Sequence, residues 1–371
     1  MIEFEEPIVV LHDRFQVRGG GERVAMDFAA ALKAPIVAEY WDQQTSYHED
    51  EVSVPIVTLS QTAPRPALWF VAPAARFKAF SKRMKGAKVI VFSGSSCLAA
   101  APRQKQALRI LYCYTPPRFA FDRLEYTVAQ IRWYKRPVFR LFAAAVRTWY
   151  RRRLKDADVV LCVSRTIQDR LLRHCGRESK LLYPGISLPE AAPAVAGQYY
   201  LSFARLDPVK RVRAIVEAFV RMPDVRLVVA SAGSQEQEIR QLAAQSPNIR
   251  VVGALSDAAL QAAISGCIAT IYVPMEEDFG LTPLEAAALG KPTIGVAEGG
   301  LVETVMEGTT GTLLPPSFTT EDLMQAVRSL DTRRSGQMRQ ACLEQARRFG
   351  KDVFAERLQK VIAAHQAGQP R

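Results

Sequence analysis

Short apolar runs bounded by polar turns recur along the whole chain, with helical patterns standing between them. Runs at residues 8–11, 35–39, 54–59, 88–92, 109–112 and 158–163 form a first series. Runs at 199–204, 226–230, 249–252, 268–273 and 293–296 form a second. Each is of strand length and continuous rather than alternating, which predicts strands buried on both faces. Apolar positions recur with a 3.6-residue period at 24–32, 212–220, 301–306 and 353–363, the mark of helices with one face in a core. Strand and helix alternating in this way predict mainly parallel sheets with helices on both sides, an α/β class.

A chain of 371 residues exceeds the usual size of one core. Pro189, Pro193 and Gly197 in an alanine-rich stretch read as a linker over 187–197. We therefore expect one doubly wound domain over 1–186 and a second over 198–350. The helix within 351–371 is expected to cross back onto the first, and the two domains to face each other across a cleft. The acidic segment from Met1 to Glu6 leads directly into a strand and reads as no secretory leader. No apolar run is long enough to span a bilayer.

Charge changes the picture, because it is unevenly placed. Residues 1–190 hold 30 Lys/Arg against 18 Asp/Glu, and residues 191–371 hold 19 of each, so the whole formal excess of +12 lies in the first half. Residues 52–121 and 126–155 contain no acid. Aromatic residues interleave with cations at 65–88 (Trp69, Phe70, Phe77, Phe80) and at 132–155 (Trp133, Tyr134, Trp149, Tyr150). Such stretches predict contact with an anionic membrane surface, or else helices with one core face and one solvated basic face. No nucleic-acid recognition motif accompanies the charge. The six cysteines are scattered without a C-x-x-C pair, and the four histidines lack ligand spacing, so neither a disulfide frame nor a protein-bound metal is expected.

The candidate chemistry lies at strand-to-helix turns. The run at 268–273 feeds Glu276-Glu277-Asp278-Phe279-Gly280-Leu281-Thr282-Pro283-Leu284-Glu285. There Thr282, Pro283 and Glu285 read as N-cap, first-position proline and capping-box glutamate. Gly280 permits close approach of a ligand to the free amides of the first turn, which suits a phosphate. Gly19-Gly20-Gly21-Glu22 after the first strand is a weaker version of such a turn, open equally to a plain structural reading. Arg205 and Lys210 flank a turn after the first strand of the second domain, placed to clamp a diphosphate. Tyr114 and Arg118 surround a rigid Pro116-Pro117 loop at another strand end.

Together, Gly19-Gly20-Gly21-Glu22, Arg205 with Lys210, and Glu277 and Glu285 around Phe279-Gly280-Leu281 resemble the retaining glycosyltransferases of family 4, which have the GT-B fold. The Thr115-Pro116-Pro117-Arg118-Phe119 segment and Glu-Glu-Asp-Phe-Gly narrow the resemblance to mannosyltransferases that build bacterial O-antigen and other surface polysaccharides from GDP-mannose. By that resemblance Glu285 would hold the ribose, and Arg205 and Lys210 the departing diphosphate. Phe279, Gly280, Leu281 and Thr282 would contact sugar and phosphates, Glu277 the sugar hydroxyls, and Leu255 the base. Gly19 and Gly20 would meet the diphosphate from the other domain, with no metal required. The subgroup usually has histidine where Tyr114 stands. That departure opens a donor lacking a 6-hydroxyl, a pentose donor, or a non-catalytic sugar-nucleotide scaffold as alternatives. The acceptor implied is a lipid-linked or membrane-presented glycan, and the location the inner face of the cytoplasmic membrane.

Overall fold

The computed structural model describes residues 6–65, 68–103, 106–190 and 195–368. Residues 1–5, 66–67 and Pro193 with its neighbours in the expected linker lie outside them. The chain divides into two compact units, Met1–Pro184 with Ala355–Arg371, and Gly185–Phe354.

The first unit runs β1 (Ile8–His12), α1 (Gly20–Leu32), β2 (Ile36–Ala38), β3 (Ile56–Thr58), α2 (Val71–Phe80), β4 (Val89–Ser93) and β5 (Leu108–Cys113). It continues through α3 (Leu124–Ala129), α4 (Arg136–Leu154), β6 (Val159–Cys162), α5 (Arg165–Cys175) and β7 (Lys180–Leu181). Its seven strands are ordered β3-β2-β1-β4-β5-β6-β7, all parallel. The order reverses between β1 and β4, and ligands of open α/β sheets bind beyond the strand ends at such a point. Val9, Val10 and Leu11, Ile90 to Phe92, and Ile110 to Tyr112 are wholly or almost wholly buried, as continuous apolar strands require.

The second unit repeats the plan. It contains β8 (Tyr200–Ser202), α6 (Val212–Val220), β9 (Leu227–Val229), α7 (Glu236–Ala243), β10 (Ile249–Val251), α8 (Asp257–Gly266) and β11 (Thr270–Ile271). Then follow α9 (Leu281–Ala288), β12 (Thr293–Val296), α10 (Leu301–Thr304), β13 (Gly311–Leu314), α11 (Thr320–Ser329) and α12 (Thr332–Arg347). Helix α13 (Lys351–Gln366) has its first turn in this unit and the rest in the first. The six parallel strands are ordered β10-β9-β8-β11-β12-β13, with the reversal between β8 and β11. Tyr200 secures the helical layer, its buried hydroxyl donating toward the Val327 and Leu330 carbonyls at the end of α11. The α/β class with two doubly wound parallel sheets is thus observed.

Two local expectations are corrected. The apolar run at 268–273 is regular strand only at Thr270–Ile271; single backbone bonds from the Ile268 and Tyr272 amides to the Tyr199 and Ile294 carbonyls (2.7 and 2.9 Å) extend the pairing, and beyond them the Val273 and Pro274 carbonyls accept from Arg211 (2.6 and 2.8 Å). In the basic-aromatic stretch at 65–88, Phe70, Phe77, Phe80 and Met84 are buried. Most of that alternation therefore serves the core, since α2 packs on the 3-10 segment Ser96–Arg103.

Candidate active site

In the second unit, the elements on either side of the strand-order reversal carry the chemistry. Lys210 ends the turn after β8, and its ammonium donates to the Tyr272 hydroxyl (2.8 Å) and to the Glu277 carboxylate (2.7 Å). Tyr272, which follows β11, lies within the electrostatic reach of Glu277, Thr282 and Glu285. The phenol oxygen accepts from the Lys210 ammonium. Burial, reinforced by Glu277, pushes the phenol well above its ordinary value, which keeps it a neutral donor. Lys210 is therefore held between Tyr272 and Glu277, with Thr282 and Glu285 near enough to influence the same buried hydroxyl.

Arg205 is placed differently. It leaves the same strand end, but its guanidinium pairs with Asp207 (2.6 Å) and its side chain is 56% exposed. Asp207 also accepts from the Ser234 hydroxyl (2.9 Å). Arg205 is thus a cation at the rim of the cluster rather than a member of it.

The helix at this site begins two residues earlier than its sequence implies. Gly280, not Thr282, is the N-cap, with φ 96° and no side-chain cap, and Leu281 opens the helix. The left-handed backbone that glycine allows turns the chain at once. Thr282 consequently lies inside the first turn. Phe279 is buried and packs on Phe349 (5.8 Å between centroids). Leu255, in the loop before α8, packs against the core cluster that includes Leu201, Ala286 and Leu289. Ser256, a residue type favoured at helix N-caps and standing just before the helix, caps α8 by accepting from the Ala259 amide.

Sequence reasoning missed three contributors here. Tyr272 is hidden in an apolar run. Arg211 clamps the β11 exit, pairing also with Glu298 (3.7 Å). Gly299 and Gly300 let the β12 exit lie directly on residues 277–279, the Gly300 amide donating to the Glu277 carbonyl (2.8 Å).

In the first unit, Gly19 is the extended N-cap of α1 and Gly20 its first residue. The Tyr114 hydroxyl donates to the Gly21 carbonyl in that turn (2.8 Å) and meets the Ser93 hydroxyl (2.7 Å). Ser93 in turn meets His12 Nδ1 (3.1 Å). With the tyrosine proton committed to Gly21, Ser93 must donate to Tyr114, and His12 must donate from Nδ1. One chain of hydrogen bonds thus joins the ends of β1, β4 and β5 to the glycine turn. Burial raises the Tyr114 phenol well above its ordinary value. Asp13, also unread in the sequence, accepts from the amides of Ser95, Ser96 and Cys97 (2.9, 3.1 and 2.8 Å) and so fixes the β4 exit.

The loop bearing Tyr114 does not present Arg118 freely. Arg118 grips Asp122 through two nitrogens (2.8 and 3.0 Å), and Arg170 approaches the same carboxylate (3.6 Å) while donating to Thr115 (3.0 Å). Burial alone would raise the Asp122 carboxyl, but the two guanidinium groups outweigh it and hold the group below its ordinary 3.8. A depressed folded value gives stability that is present above the unfolded value and lost as pH falls through the folded one. Asp122→Asn should therefore melt below the parent at neutral pH by the equivalent of roughly 1–3 kcal/mol. The gap should close below about pH 3.8 in paired thermal melts; a gap constant down to acid pH would contradict this account.

Comparison with known proteins now adds to the geometry. A model described as Glycosyltransferase Family 4 matches residues 18–190, and one described as Glycosyl transferases group 1 matches residues 191–349. The chain belongs to the glycosyltransferases. This glycosyltransferase is 23% identical over 369 residues to the α-1,3/1,6-mannosyltransferase ALG2 of Mus musculus, covering 84% of this chain and 85% of that one. It is 29% identical over 197 residues to the GDP-mannose-dependent α-(1-6)-phosphatidylinositol monomannoside mannosyltransferase of Mycolicibacterium smegmatis, covering 45% and 52%. Several other curated relatives are spanned over about half their own length or less. Among solved structures, Anabaena Alr3699/HepE in complex with UDP-glucose superposes with a TM-score of 0.75 at 15% identity, over 96% of this chain and 99% of that one. That likeness gives the glycosyltransferase its fold, GT-B.

Proposed function

We propose that this glycosyltransferase moves mannose from GDP-mannose, with retention at the anomeric carbon, onto a lipid-linked or membrane-presented glycan at the cytoplasmic face of a membrane. The observation that carries the reading is the Lys210 ammonium, held by Tyr272 and Glu277 beside the first turn of α9. Departure of a nucleoside diphosphate builds negative charge on the leaving oxygens and positive charge at the sugar carbon. A fixed cation and the amides of a helix N-terminus stabilise the former. The leaving phosphate itself can take the acceptor's proton on the same face, so no protein nucleophile is needed.

Glu285, near the same turn, is assigned to the ribose and Glu277 to the sugar hydroxyls, with Phe279, Gly280, Leu281 and Thr282 lining the way to the phosphates. Leu255 is assigned to the base, and Arg205 at the rim to the diphosphate. Lys210 and Arg205 bring the positive charge that this step uses, and activity is expected to persist in EDTA. The roles of Gly19, Gly20 and Tyr114 rest on the family resemblance. Two relatives named for mannosyl transfer, one of them named as dependent on GDP-mannose, support the donor.

Tyr114 favours one second reading. A neutral phenol tied to Gly21 cannot act as a cation toward a donor's 6-hydroxyl, which fits a 6-deoxy sugar or a pentose. A thermal-shift screen with GDP-, UDP-, ADP- and dTDP-linked sugars, followed by assay of nucleotide release, tests both. GDP-mannose should raise the melting temperature most, because a ligand that binds only the native state stabilises it. A larger shift with a deoxysugar or pentose donor selects the second reading. A shift without release marks a non-catalytic scaffold, and no shift with any sugar nucleotide refutes all three.

A further inference from the structure

Helix α4 has two apolar faces, and only one of them is used by the fold. Its inner face, with Phe139, Phe142, Ala143 and Val146, joins the cluster around Phe70 and Ala120. Its outer face carries Val138 and Leu141, one turn apart and 69% and 73% exposed. Trp133, just before the helix, is 77% exposed, and Tyr134 beside it is also exposed. A helix on a soluble surface normally turns charge outward here. Large exposed apolar side chains at this density mark a docking surface.

The structure also joins two stretches that lie more than sixty residues apart in sequence. Trp69 packs edge-on against Phe119 (5.0 Å between centroids), and Phe119 lies 6.2 Å from Phe139 and 6.0 Å from Phe142 on α4. The exposed Leu68, Trp69 and Val71 thus lie beside the aromatic cluster that the inner face of α4 joins. Cations border the patch. Arg132 and Lys135 lie at its Trp133 end, and Arg152 lies on the outer face about three turns beyond Leu141. Residues 126–155 carry no acid, and Glu125 just before them is paired with Arg140 (2.7 Å).

We propose that this surface of the first unit is where the enzyme sits on an anionic phospholipid bilayer. Trp133, Val138 and Leu141 enter the headgroup–acyl boundary, and Arg132, Lys135 and Arg152 engage phosphate groups. Aromatic rings and aliphatic chains at the crest with basic residues beside them match an interfacial helix. Charge decides the occupant. A second copy of the chain would bring like cations together, whereas an anionic leaflet neutralises them. The proposal deepens the reading of a membrane-presented acceptor, and its measurement needs neither donor nor acceptor.

The experiment is flotation of the full chain with vesicles of phosphatidylcholine, with and without phosphatidylglycerol, scored with tryptophan fluorescence. The parent should float with the anionic vesicles and show a blue shift. Val138→Asp with Leu141→Asp should lose partitioning at least tenfold, and Arg132→Glu with Lys135→Glu at least as much, since each cation near such a surface is worth roughly fivefold. Both variants change exposed residues, and donor turnover in solution should stay at the parental level as a check of folding. Unaltered flotation of both variants overturns the proposal, as does a parent that stays in the pellet. Concentration-dependent self-association, or nucleic-acid binding, that the Asp variant abolishes would assign the surface to that partner instead. Flotation without turnover of any donor would sink the proposed reaction and leave the docking surface standing.

Discussion

Lys210→Ala should lower kcat for sugar transfer by about a hundred- to a thousandfold, with a much smaller change in KM. The ammonium is fixed by Tyr272 and Glu277 before any substrate arrives, so it needs no reorganisation as the diphosphate charge develops. An interaction that strengthens toward the transition state appears in kcat, whereas uniform binding would appear in KM. The side chain is partly exposed, so folding should survive its truncation. Tyr272→Phe is the graded companion: it removes one acceptor for Lys210 while keeping the ring. A smaller loss in the same direction is expected from it. Steady-state kinetics with saturating acceptor would read both. Parental kcat in the lysine variant would remove the central element of the proposed reaction.

The largest expected effect on stability comes from a single methyl group. In Gly300→Ala the new Cβ would lie 2.3 Å from the Phe279 Cα and 2.6 Å from the Phe279 carbonyl oxygen, both backbone atoms with nowhere to retreat. Overpacking against movable side chains costs about 1–3 kcal/mol, and a backbone collision belongs at or above the top of that range. For a unit of this size that is a melting temperature lower by roughly 6–12 °C. Because the strained contact is with Phe279, donor affinity should fall with stability. Gly308→Ala is a control with open space around its Cβ, although its positive φ of 70° adds some strain. A Gly300→Ala variant melting with the parent would show that the β12 exit is not pressed on this loop.

Much of this architecture is legible in the sequence where one physical signal dominates. Helix α6 spans the residues its period marks, and Ser256 caps α8. The signal fails where tertiary contacts override it. Thr282 has the chemistry of a cap, yet a left-handed Gly280 starts the helix two residues sooner and leaves Thr282 inside its first turn. Tyr272 itself looks like one more apolar strand residue, because nothing in its neighbourhood reveals that Lys210, sixty-two positions earlier, will meet its hydroxyl. Strand β13 and helices α11 and α12 escape reading although Thr319 and Asp322 form a capping box. Helix α12 buries Ser335 and Gln345 along with Met338, so its inward face is not an apolar stripe. In the first unit, Arg118 looks free in the sequence because its partner Asp122 is just one of several residues it could reach.

The first unit is interrupted in sequence: its segment up to Pro184 is completed by residues from Ala355 onward, and Val361, Ala364 and His365 line a cavity of about 310 Å³ together with β6 and β7. During synthesis, then, the ribosome releases the edge strand β7 long before the helix that will lie beside it. The whole of the second unit must be translated in between. A nascent chain stalled before residue 355 should carry an open sheet margin, and that interval is when a chaperone would have most to protect.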